Sequence, residues 1–73
     1  MIDKLIKEAN KKYNLYITYK TKMPEVYFIY FEIENKGISF NFMFNRLMTY
    51  ELNQKEFERK LNNEIINYYL KKG

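Results

Sequence analysis

Few residue types in this chain could carry out catalysis. It holds one Ser, Ser39, one Asp, Asp3, and no His, Cys or Trp. General acid–base catalysis leans most often on imidazole, and nucleophilic catalysis needs an activated hydroxyl, thiol or amine. Ser39 has no His to activate it. The carboxylates Glu51, Glu56, Glu58 and Glu64 read as helix-cap and helix-surface charges. Zinc held by thiolate or imidazole is excluded, and no loop gathers carboxylates for a hard cation. Two glycines leave no phosphate-cradling loop. The expectation is a non-catalytic chain with no cofactor and no metal.

Contact chemistry is better supplied. Residues 25–44, EVYFIYFEIENKGISFNFMF, place aromatics on both faces of two adjoining strands. One face of a sheet needs a core, whereas aromatics on the second face form a surface that recognises something else. Tyr16, Phe28, Tyr30 and Met43 belong to that outer set, with Val26, Thr18, Lys20, Asn41 and Glu32 around them. Cross-strand aromatic pairing alone also stabilises sheets. A second contact chemistry lies in the lysines. Residues 1–24 carry six Lys against Asp3 and Glu8, while the whole chain is +4. Lys4, Lys7, Lys11, Lys20 and Lys22 are candidates for phosphate contacts to nucleic acid. The same Lys and Asn richness would follow from an AT-rich genome.

The elements that must position these groups are legible from periodicity. Ile2, Leu5, Ile6, Ala9 and Tyr13 form one apolar stripe, predicting a helix over residues 2–12. Period two begins after Asn14 and predicts a strand over residues 15–20, with Leu15, Ile17 and Tyr19 on one face. Pro24 marks the end of the next connection. A second strand covers residues 25–34, with Tyr27, Ile29, Phe31 and Ile33 inward and Val26, Phe28, Tyr30, Glu32 and Glu34 outward. Asn35-Lys36-Gly37 is expected to form a bulged turn with Gly37 at positive φ. A third strand starts at Ile38 with Phe40, Phe42 and Phe44 inward. Its alternation runs on through Met48, Tyr50 and Leu52, suggesting a bend near Asn45 and a continuation. Asn53 and Glu56 have capping-box spacing, with Leu52 and Phe57 as a hydrophobic staple. That predicts a last helix starting after Asn53 whose inward stripe is Phe57, Leu61, Ile65 and Tyr68. Ile66 and Leu70 fall on its opposite side and make a second candidate contact strip.

The fold class expected is α+β: a single two-layer domain over residues 1–73, ordered α-β-β-β-α. A three-stranded antiparallel sheet carries both helices on one face. A chain this short buries only ~60% of the surface its unfolded form exposes. With no disulfide, dense packing or a partner must supply stability. Aromatics at 19% of residues suit dense packing. Charges in MIDKLIKE come too early for a signal-peptide apolar region, and no apolar run approaches the ~20 residues of a membrane span. The expected location is the cytoplasm.

The order α-β-β-β-α at this length resembles the double-stranded-RNA-binding domain. That resemblance implies phosphate contacts from the loop before Pro24 and from the start of the last helix. Thr21-Lys22-Met23-Pro24 departs from the family's Gly-Pro-x-His-type loop, and Lys55, Arg59 and Lys60 are interleaved with Glu56 and Glu58. The same order, size and Lys/Asn-rich composition are similar to small phage-encoded inhibitors of bacterial defence, the anti-CRISPR proteins. That resemblance implies a compact, non-catalytic phage protein that binds and inhibits a host protein in the host cytoplasm. The expected partner is therefore a protein. Nucleic acid binding is the alternative, and a homodimer is a third reading.

Overall fold

The computed structural model describes residues 1–72. The chain folds as α1 (Ile2–Tyr13), β1 (Thr18–Met23), β2 (Val26–Ile33), β3 (Lys36–Met43) and α2 (Tyr50–Lys72). The strands form an antiparallel meander in the order β1-β2-β3. Both helices pack on one face of it around a single core, giving the expected two-layer α+β architecture. The core joins Ile2, Leu5, Ile6 and Ala9 of α1 to Phe57 and Leu61 of α2 through Ile29, Phe31 and Phe42 of the sheet. Each fully buried Phe or Leu contributes about 1.5–3 kcal/mol of transfer free energy. The Phe57 ring lies edge-on to Phe42, with centroids 5.1 Å apart, and tilted against Phe40.

The helices also meet along a polar rim. Glu8 accepts from the Tyr50 hydroxyl at 3.0 Å and from Gln54 Nε2 at 3.1 Å. Lys12 pairs with Glu58 at 2.7 Å, and the Lys4 ammonium sits 4.8 Å from the Tyr50 ring centroid. Partners 4, 8 and 12 on α1 match 50, 54 and 58 on α2, so the two helices run in the same direction. Contacts from α1 end there, while α2 continues to Lys72. Its last turns face the β2–β3 turn, where Tyr68 and Lys72 both donate to Glu34. That pair of donors holds the Glu34 carboxyl below its ordinary pKa.

Several local expectations are corrected by the structure. The first strand runs Thr18–Met23, not residues 15–20, because Ile17 is held by Asn10 and not by a ladder. Asn10 Oδ1 accepts from the Ile17 N–H at 2.5 Å, and its Nδ2 donates to the Ile17 carbonyl. The β2–β3 turn is the two-residue pair Glu34-Asn35, with φ of 51° and 67°. Ile33 pairs with Lys36 across it, so the turn is of the mirror-image type that matches strand twist. Gly37 does not take positive φ. It is a strand residue opposite Glu32, and a Cβ there would lie 2.9 Å from the Tyr30 ring edge. Glycine is therefore needed for the close approach of Tyr30, not for a turn.

The third strand does not continue past Asn45, and Asn53 is not the N-cap of the last helix. The strand stops at Met43 because residues 45–49 are drawn into a cap. Thr49 Oγ1 accepts from the Leu52 N–H at 3.2 Å, and α2 starts at Tyr50. Asn53 lies inside the helix and is only 1% exposed. Its Oδ1 accepts from the Asn45 N–H, and its Nδ2 donates to the carbonyls of Asn45 and Thr49. The staple fails with the cap: Leu52 is exposed, while Phe57 is fully buried.

Candidate functional site

The outer face of the sheet is built from the residues that alternate with the core. Its rows are Thr18–Tyr30–Ser39, Lys20–Phe28–Asn41 and Met23–Val26–Met43, read across β1, β2 and β3. Neither helix reaches this face. Tyr30 is exposed and donates to Glu32 at 2.8 Å, which raises its phenol pKa. Met43 is 62% exposed. Phe28 is half-buried, with the Lys22 ammonium 5.6 Å from its ring centroid. Lysine stems lying over an aromatic shield its carbon while keeping the charge in water. Thr18, Tyr19, Lys20, Phe28 and Tyr30 line a shallow depression of about 210 Å³.

Predicted contact residues do not all share this face. Phe28, Tyr30 and Met43 lie on it. Tyr16 sits before β1, outside the ladder, and is 81% exposed. Ile66 and Leu70 lie on α2 on the side turned away from the sheet, 54% and 73% exposed. The structure thus gives two apolar surfaces on opposite sides of the molecule. Tyr69, three residues from Ile66, joins the helical strip and is exposed. Its i,i+3 spacing from Ile66 was the available signal.

The lysines divide in the same way. Lys4, Lys7 and Lys11 are exposed on α1, on the helical side. Lys20 and Lys22 belong to β1, and Lys22 stands over the outer-face Phe28. The structure does not gather these five onto one surface. A further depression, about 340 Å³, opens at the end of the sheet between Met1, Ile2, Tyr27, Phe44, Met48 and the Arg46–Glu25 ion pair. Nothing in the sequence periodicity signalled it, since its walls come from a loop and two element ends.

Chemically the outer face offers aromatic and thioether contact area, amide and hydroxyl groups and two cations. Ser39 lies within it opposite Tyr30. Among the described residues no three His, Cys, Asp or Glu side chains cluster to hold a metal ion. No helix among them is long and apolar enough to cross a membrane. No protein-family model, curated protein or solved structure matches this chain.

Proposed function

We propose that this chain is a non-catalytic interaction protein that binds and inhibits another protein. Its setting would be a phage or mobile element, and its target a component of host defence in the host cytoplasm, in the manner of the anti-CRISPR proteins it resembles. The observation that supports this reading is the outer sheet face. Phe28, Tyr30 and Met43 stand on a rigid sheet with no element of the described chain over them, a surface suited to burial by a partner. Recognition there rests on aromatic and thioether anchors framed by Lys20, Lys22 and Asn41. The separation of the five candidate lysines between two sides disfavours a single phosphate-tracking surface.

The test is capture from host lysate with a tagged chain, with and without nuclease. The expected result is a host protein retained after nuclease and lost with Tyr30→Glu or Met43→Glu, both at exposed positions. Purified target should then lose activity on titration with the chain. Capture that vanishes with nuclease, or that ignores both variants, would sink the reading.

A further inference from the structure

The two edges of the sheet are built differently. The β1 edge carries Lys20 and Lys22, a register shift between Thr21 and Met23, and Pro24 just beyond. Charges, irregular register and proline are how proteins keep a sheet edge from pairing with another chain. The β3 edge has one charge, Lys36 at its first residue, and neither a proline nor a break in register. From Gly37 to Phe44 it reads GISFNFMF, without a charge or proline, and its pairing with β2 is regular throughout.

The backbone groups free on that edge can be named. The Phe44 N–H donates to the Glu25 carbonyl at 2.8 Å. Antiparallel pairing alternates, so Lys36, Ile38, Phe40 and Phe42 likewise turn their backbone groups toward β2. Gly37, Ser39, Asn41 and Met43 turn theirs outward. Alongside runs α2, antiparallel to β3. Phe40 and Asn41 share a groove of about 220 Å³ with Arg59, Lys60, Asn63 and Glu64. Gly37 and Ile38 share the next, about 230 Å³, with Glu64, Asn67 and Lys71.

We infer that two copies of this chain join along β3, edge to edge and antiparallel, into one continuous sheet of six strands. Keeping both cores on the same side requires odd residues to face odd residues. A two-fold axis at Phe40 satisfies this and uses every outward group. Gly37 pairs with Met43 of the second copy, and Ser39 with Asn41, each twice. The same axis passes beside the stretch of α2 that holds Lys60 and Glu64. It therefore sets Lys60 of one copy against Glu64 of the other, again twice. This self-complementarity of charge is what a two-fold interface requires, and it selects a second copy over a foreign strand. Exposed Met43 comes to rest over the second copy's Gly37, beside the Tyr30 ring that the missing Cβ admits.

Light scattering across a wide concentration range, with amide exchange, tests this. The expected mass is twice 9.1 kDa, with Ser39, Asn41 and Met43 amides protected. Ser39→Lys with Asn41→Lys places lysine opposite lysine at exposed positions and should return the mass to 9.1 kDa with unchanged circular dichroism. Lys60→Glu should weaken the dimer roughly tenfold, and adding Glu64→Lys should restore it. A monomer at every concentration would overturn the inference. So would a dimer indifferent to the lysine pair, or one whose Ser39 and Asn41 amides exchange freely. A monomer leaves the outer-face reading standing, because lysate capture tests that separately.

Discussion

Asn10 and Asn53 do the same work at the two joints of the fold. Each amide meets both the N–H and the carbonyl of one backbone residue that flanks a strand: Ile17 before β1 and Asn45 after β3. A side chain here supplies the bonds a neighbouring strand would have made. Asn53→Ala removes three hydrogen bonds at once and leaves the Asn45 N–H without its partner, while the Asn45 and Thr49 carbonyls keep the Met48 and Asn53 N–H groups. A group left unpaired costs about 1–3 kcal/mol where buried, so the loss should exceed that of Thr49→Ala, which removes only the cap, about 1 kcal/mol. Denaturant melts of the two variants check the order. Equal losses would show that the joint contributes no more than a cap. Tyr50 sets a pH limit. Burial first, and the Glu8 carboxylate second, push its phenol from 10.0 up to about 12. The unfolded chain ionises it near 10, so its contribution is complete below that pH and is lost as pH rises toward 12. Tyr50→Phe should therefore lose less stability across this window than the parent chain. Parallel stability–pH curves would refute the assignment.

At the scale of elements, α2 separates its burden by face. Phe57 is fully enclosed, and Phe57→Ala should cost about 3–5 kcal/mol, enough to unfold so small a domain. Ile66→Glu, on the far side, should fall within about 0.5 kcal/mol. Chemical denaturation of both decides the placement: comparable losses would mean Ile66 is not on a free face. Periodicity made this much readable from the sequence alone. The stripe Phe57, Leu61, Ile65 and Tyr68, the alternation in β2 and β3, and the element order all follow from 3.6- and 2-residue repeats. What stayed hidden depends on contacts between distant residues. Asn53 with Glu56 has the spacing of a capping box. The bonds from Asn53 to Asn45, eight residues back, place Asn53 inside the helix, which starts at Tyr50 behind a Thr49 cap. Gly37 looks like a turn residue until the Tyr30 ring is placed over it. Phe28, Tyr30 and Met43 were legible as an outward set. Ile66 and Leu70 were legible as a separate strip, but the loss of Tyr16 from the sheet face was not, because period gives a face and not where the ladder begins.

Across the whole molecule the helices differ in reach. α1 has 12 residues and α2 has 23, about 34 Å at 1.5 Å per residue, against a longest dimension of 39 Å. The second half of α2 therefore runs beyond α1 and rests on the sheet alone, fastened at its tip to Glu34. That overhang gives the domain a graded lifetime. Helix turns with fewer buried neighbours open locally at lower free energy than the global transition. Amides up to Leu61 should exchange only when the whole chain unfolds, while those past Ile66 should exchange in a separate, faster opening. Acid should widen the gap. The folded Glu34 carboxyl ionises below its ordinary value, so its hold on Lys72 and Tyr68 is whole above the usual glutamate range and is lost as pH falls through the folded pKa. Glu34→Gln should reproduce the acid behaviour at neutral pH. Uniform exchange along α2 would show instead that the helix opens as one body.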